Sequence, residues 1–200
     1  MMAAFGAAQS STCARRRVGA VIVNPEFDFP KAFVSSGWNH AGTGISCEAK
    51  FFSEYVKDIY PETAELRMFL DLLQTDPLKA HEYEKLLSPE LSSVWESFKI
   101  NTKTPEFKKL HREWQDTEIH SELTAIMNAY KAGKSVANCI LYSSRSPCVA
   151  CAHAIIESGI KKVYYTQLSE AGEGGIPVLE KAGIEVQYMD PTEFEKEFYT

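Results

Sequence analysis

No glycine occurs between Glu48 and Glu118, although Pro61, Pro77, Pro89 and Pro105 interrupt the span. A flexible linker is built from glycine and serine. This segment instead carries charge, Leu, Phe and Tyr at helical spacing, which predicts several short helices joined by tight turns. We read residues 48–118 as a helical insertion that packs on a main sheet. Long apolar runs are also missing, and none approaches the length that spans a bilayer, so no membrane partner is expected. Positive charge is scarce: 21 Lys and Arg face 27 Asp and Glu, for a net charge of −6. A general affinity for nucleic acid is therefore not expected. Five cysteines in 200 residues do not make a disulfide scaffold. In a reducing cytosol they are packing residues, metal ligands or reactive thiols. The opening MMAAFGAAQSSTCARRR places its basic residues after the apolar stretch, the reverse of a secretory signal. The expectation is a first helix, Ala3 to Cys13, of a cytoplasmic protein.

What is present suits one domain of residues 1–200, carrying the insertion. An apolar share of 44%, with 11 Phe, 9 Tyr and 3 Trp, supplies a core. Arg16 to Asn24 and Lys31 to Asn39 read as two strands, antiparallel across a turn at Pro25 to Pro30. A glycine-rich loop, HAGTGIS, follows. After the insertion the chain alternates. Helix His120 to Lys131 leads to strand Ala137 to Ser143, and helix Val149 to Glu157 to strand Lys161 to Gln167. Helix Gly174 to Lys181 leads to strand Ile184 to Met189, and a last helix, Thr192 to Phe198, closes the chain. The fold class is α/β, a three-layer α/β/α sheet of about five strands, some of them parallel.

Cys148 and Cys151 form a Cys-x-x-Cys pair at a helix start, where the helix favours thiolates. Alone, the pair is a redox couple or half of a structural zinc site. His120 also stands at a helix start. Two helices leading from neighbouring strands can bring their N-termini together, gathering one imidazole and two thiolates. Three protein ligands leave a fourth tetrahedral position open, the mark of catalytic zinc. Water in such a position loses its proton near neutral pH, and a group must then move protons. Glu122 is that group. Side chains at i and i+2 point apart within a helix, so His120 and Glu122 must straddle its start.

His120-Ser121-Glu122 followed by Pro147-Cys148-Val149-Ala150-Cys151 matches the zinc nucleobase-deaminase signature H-x-E…P-C-x-x-C. With RRRVGAVIVN, FVSSGWN, EWQDTEIHSELTAIMNA and LYSSRSPCVACAHAIIESGIKKVYY, about half the chain resembles the deoxycytidylate (dCMP) deaminases, especially those of bacteriophages. The resemblance implies a cytidine-deaminase-like fold and hydrolysis of dCMP to dUMP and ammonia, supplying dUMP for thymidylate synthesis. It implies Zn2+ held by His120, Cys148 and Cys151, with Glu122 as the proton shuttle. Asn39, Arg145, Ser146 and Tyr165 become candidates for contact with the nucleotide. A homo-oligomer, with a hexamer favoured, is implied, as are dCTP and dTTP effectors, with Mg2+ accompanying a triphosphate. A phage-encoded enzyme would work in the host cytoplasm. The chain departs from the family at Thr124, where asparagine is usual, and at His40, where glycine is usual.

The resemblance also implies a second, structural zinc, with Cys13, Cys47 and His111 in matching places and His40 as a candidate fourth ligand. Cys139, inside a β-branched run, reads as core, and His81 and His153 as ordinary residues. Arg15, Arg16 and Arg17 form a small basic cluster that binds phosphate or a neighbouring subunit, or is solvated. The alternatives are a deaminase of dCTP, CMP or a modified cytosine nucleotide, a deaminase of a pteridine or free base, and a catalytically weak nucleotide-binding zinc module. A deaminase of RNA or single-stranded DNA would need a basic groove with stacking aromatics, which the acidic insertion disfavours.

Overall fold

Gly19–Val23 form β1, five residues of which four are fully buried and one partly so. In the computed structural model, which describes residues 1–14, 16–41, 46–115, 118–169 and 174–192, β1 lies one strand in from an edge of the sheet. The other strands are β2 (Phe33–Trp38), β3 (Ile140–Ser143), β4 (Lys162–Tyr165) and β5 (Glu185–Tyr188), in the order β2-β1-β3-β4-β5. β1 is antiparallel to β2 and to β3, whereas β3, β4 and β5 run parallel. The antiparallel hairpin and the five strands agree with the sequence reading. β3 ends at Ser143 as expected, and the other strand ends retreat by one to three residues.

The helices are α1 (Met2–Ala8), α2 (Cys47–Val56), α3 (Ala64–Thr75), α4 (Pro77–Tyr83), α5 (Pro89–Asn101), α6 (Pro105–Gln115), α7 (Ser121–Lys131), α8 (Val149–Glu157) and α9 (Ile176–Lys181). Helix α1 ends five residues short of the expected Cys13, where Gln9, Ser10, Ser11 and Thr12 interrupt the alanine-rich pattern. The expected terminal helix lies almost wholly outside the described residues, as does most of the glycine-rich loop.

The chain divides into two compact units, residues 1–8, 18–39 and 120–200 in one, and 9–17 and 40–119 in the other. In the first, successive strand residues point to opposite faces. A Cβ on Gly19 would lie 2.1 Å from the Ala4 carbonyl oxygen of α1. The next residue, Ala20, packs into the core with Ala125, Ala129, Ala152, Ile155 and Leu179 of α7, α8 and α9. Helices therefore cover both faces of the sheet, giving three layers. Gly37 pairs with Ala20 and permits the seating of α7, because its Cβ would lie 2.3 Å from the Ala125 nitrogen. Gly37→Ala should cost about 3 kcal/mol, the upper end of overpacking penalties, because the clash is with backbone and no side chain can swing away. Urea unfolding measures it, and an unchanged midpoint would refute this packing.

The second unit is built on aromatic contacts. Trp95 meets Phe52 at 4.6 Å and Phe69 at 5.0 Å, both edge to face, a geometry favoured by the ring quadrupoles. Its helix starts are explicit in the sequence. Ser46, Thr63, Asp76 and Ser88 each cap a helix by accepting from the backbone N–H three residues on. Pro77 and Pro89 stand at the first helical position, which has no need of an N–H. The prolines thus begin helices as much as they end them. His81, expected to be an ordinary residue, has a ring nitrogen 3.2 Å from Arg17 Nη1, and Arg17 donates to the buried Glu48 at 3.1 Å. Arg17 is therefore paired and not simply solvated, while Arg15 lies outside the described residues.

Candidate active site and a second donor cluster

His120 is the N-cap of α7, with extended backbone (φ −75°, ψ 154°), and Glu122 lies in the first turn. The change of backbone between cap and helix resolves the i, i+2 problem, so that both side chains face one place. Cys148 is the N-cap of α8 (φ −75°, ψ 171°), and its sulfur accepts from the Cys151 N–H at 3.4 Å. Strand β3 joins the two helices, and its length sets how α8 starts beside α7. His120 Nδ1 lies 3.3 Å from Cys148 Sγ and 3.4 Å from Cys151 Sγ.

These distances test whether the residues suit zinc. Tetrahedral bonds of about 2.1 Å to nitrogen and about 2.3 Å to sulfur place N and S about 3.6 Å apart. The side chains already stand a few tenths of an ångström inside that separation, and the donor set of two thiols and one imidazole is zinc chemistry. The thiols share protons unequally. The hydrogen bond with Cys151, helped by His120, holds Cys148 down at about 3 against the effect of burial. The same bond from the other side, with burial, pushes Cys151 upward. The site thus favours a thiolate at Cys148, the form that binds a cation.

Glu122 is 4% exposed. Burial pushes its carboxyl above the usual range, while His120 and a hydrogen bond from Ser121 pull it down. Ser121 Oγ donates to Glu122 Oε2 at 3.0 Å, and the Cys151 thiol approaches the same oxygen at 3.8 Å. The Ser121 contact carried no signal in the sequence. Thr124, the departure from the family pattern, donates its hydroxyl to the His120 carbonyl at 3.0 Å and so stays within the helix.

The four candidate nucleotide contacts are tied into local structure. Asn39 is buried and accepts the Val18 N–H at 2.7 Å. Arg145 donates to the Leu168 carbonyl at 3.3 Å. Ser146 is buried, and its hydroxyl accepts the Ser169 N–H at 2.9 Å. Tyr165 meets Tyr188 edge to face at 5.7 Å. Arg145 and Ser146 precede the Pro147-Cys148 turn, and Tyr165 pairs in register with Ser143 at the C-terminal end of β3.

In the second unit, Cys13, Cys47 and His111 come together, as the sequence reading expected. Their donor atoms and one of Glu118 all lie within 4.8 Å of one another. His40 is not in this group; its backbone pairs with Ile119 instead. Burial opposes protonation of His111, yet hydrogen bonds to Cys13 and Glu118 raise it to about 9. The bond to Cys47, with burial, holds the Cys13 thiol well above its usual range. Glu118 joins the group without a signal in the sequence, since one acid in an acidic segment has no distinguishing pattern. Among the described residues, no helix is long and apolar enough to cross a membrane.

The family profile described as the cytidine and deoxycytidylate deaminase zinc-binding region matches residues 1–167. A deoxycytidylate deaminase of Enterobacteria phage T4 is 31% identical over 186 residues, covering 92% of this chain and 84% of the relative. The phage T2 deoxycytidylate deaminase is 42% identical over 83 residues, 40% of this chain and 44% of that protein. Among solved structures, the dCMP deaminase of cyanophage S-TIM5 in complex with dCMP and dUMP superposes with a TM-score of 0.54 at 22% identity. The match covers 94% of this chain and 92% of the other, a likeness of fold.

Proposed function

The chain belongs to the cytidine and deoxycytidylate deaminase family, and from that premise we propose that it hydrolyses dCMP to dUMP and ammonia. The observation that carries the reading is the convergence of His120, Cys148 and Cys151 beside the buried carboxyl of Glu122. His120, Cys148 and Cys151 would hold the zinc. When bound, zinc acts as a Lewis acid that makes hydroxide available near neutral pH.

The chain's own residues do the rest. Glu122 takes the proton of the attacking water and delivers it to N3 of the cytosine ring as oxygen adds to C4. It then carries the hydroxyl proton from C4 to the amino nitrogen, the C4–N bond breaks, and ammonia leaves. A carboxyl whose affinity for protons is raised by burial suits both directions of transfer. Ser121 holds Oε2 by a hydrogen bond, and so fixes which carboxylate oxygen faces the reacting atoms.

Arg145, Ser146, Tyr165 and Asn39 contact the nucleotide in this reading. Their support is position: in parallel sheets, ligands bind beyond the carboxyl ends of the strands, where Ser143 and Tyr165 end β3 and β4. Residues 1–200 act as one deaminase domain with residues 48–118 as its insertion, a view supported by the span of the family match across both units. The reading includes a second zinc at Cys13, Cys47 and His111. It also includes a homo-oligomer, a hexamer by preference, responding to dCTP and dTTP with Mg2+, in the cytoplasm of a phage-infected host.

The substrate is a single nucleotide and not a polynucleotide. A polynucleotide is held by many phosphate contacts, and a chain of net charge −6 is poorly suited to supply them. In a competition between equimolar dCMP and a cytosine-containing single strand, uracil should form only in the nucleotide. Preferential deamination of the strand would overturn the proposal. Preference for dCTP or CMP would keep the chemistry and move the phosphate contacts.

A further inference from the structure

We propose that the chain leaving β4 and the start of α9 form a template for the turn that carries Cys148, with Thr166 and Gly175 as positioning residues for that zinc ligand. The proposal rests on the reading that His120, Cys148 and Cys151 hold the zinc, and it names what fixes the place of one ligand.

Residues 144–147 join β3 to the Cys148 cap and belong to neither strand nor helix. Ser144 and Ser146 are nonetheless buried. Buried backbone groups need partners, and an irregular turn supplies few of its own. Here they come from two other places in the chain. Thr166, itself buried, donates its hydroxyl to the Ser144 carbonyl at 2.9 Å. The Ser146 N–H donates to the Gln167 carbonyl at 2.7 Å, and the Gly175 N–H donates to the Pro147 carbonyl at 2.9 Å. The turn is held at three points, the last of them next to the ligand.

Close packing gives an independent reason. A Cβ on Gly175 would lie 2.6 Å from the Cys148 carbonyl oxygen and 2.7 Å from the Ala152 Cβ. That carbonyl accepts the Ala152 N–H at 2.9 Å, in the first turn of α8. The backbone of Gly175 therefore lies against the ligand residue itself, and a side chain there must push on it. Gly174 has φ +53°, which glycine adopts without strain, and its Cβ would lie 3.0 Å from the Pro147 carbonyl oxygen. Metal–ligand distances hold to within about 0.2 Å. Contacts behind the ligands are typically worth about 10–100-fold in metal affinity. In the rival arrangement these contacts only pair a buried turn, and Cys148 keeps its place without them.

Zinc affinity and ligand field separate these cases. Affinity is measured by competition with a chelator, counting the zinc that Cys148→Ala lacks. The ligand field is read from the visible spectrum of the cobalt-loaded protein, with that of cobalt-loaded Cys148→Ala subtracted. Gly175→Ala and Thr166→Val should each bind this zinc about 10–100-fold more weakly and shift the cobalt bands. Thr166→Ser keeps the hydroxyl and should match the wild type. Ile184→Ala is the control, since Ile184 lies in the core just before β5, at the amino end of the parallel strands. It should lose stability to urea with zinc affinity and cobalt bands unchanged. Wild-type affinity and bands in either variant remove that residue from the role, and in both they overturn the proposal while the zinc reading stands. An equal loss of affinity in Ile184→Ala also overturns it, because general destabilisation then accounts for the effect. A wild type that binds no more zinc than Cys148→Ala overturns the proposal and the zinc reading together. The pair Thr166→Val and Thr166→Ser decides even if Gly175→Ala does not fold.

Discussion

Glu122→Gln should leave a folded, zinc-loaded protein whose turnover is lower by about 10²–10⁴-fold, the range for loss of a general acid–base group. The amide keeps the size of the side chain and can still accept from Ser121 Oγ, now 3.0 Å from the carboxylate. It cannot take up and release a proton near neutral pH. The proposed mechanism asks Glu122 for several transfers within one turnover, so the upper part of the range applies. Because Glu122 is not in the donor cluster of His120, Cys148 and Cys151, zinc content should not change. Steady-state kinetics with metal analysis decides, and near-normal turnover in the zinc-loaded variant would remove Glu122 from the mechanism.

Cys148→Ala should abolish both metal binding at this site and activity. Cys148 provides more than one donor atom. It is the N-cap of α8, and its sulfur accepts the Cys151 N–H. Alanine therefore also removes a cap, at a cost of about 1 kcal/mol. Cys148→Ser separates these effects, since a hydroxyl caps well and is a poor zinc ligand. Both variants should lose deaminase activity beyond detection, while serine keeps more of the stability. Full activity in either one, or an active wild type free of metal, would refute the zinc assignment.

The parts of the site readable in the sequence were those where chemistry restricts the residue type. A zinc deaminase needs thiolate and imidazole donors and a nearby acid, and His120, Glu122, Cys148 and Cys151 provide all of these in two short words. Helix α8 was predicted with its observed bounds, Val149–Glu157, because a proline and a cap precede it and Ser158-Gly159 follows. Contacts between distant segments were less legible. Nothing local to Gln9–Arg17 shows that it shares a compact unit with residues 40–119. The pairing of Arg17 with Glu48 and His81 was equally hidden, since each looks like a solvated charge on its own element. Ser121 occupies the variable position of His-x-Glu, which gives no sign that its hydroxyl holds the glutamate.

Two helix starts supply the donors, and His120 lies 28 positions before Cys148 and 31 before Cys151. A cation that joins them closes a loop as a cross-link does. For a loop of that length the chain-entropy relation gives about 3.6 kcal/mol of stabilisation. The unfolded chain offers no such preformed site, so affinity for metal becomes affinity for the folded state. Stability then depends on concentration: each tenfold rise in free zinc above saturation adds about 1.4 kcal/mol. The metal supply of the cell would thus govern how long the α7–β3–α8 segment survives proteolysis, apart from any effect on turnover.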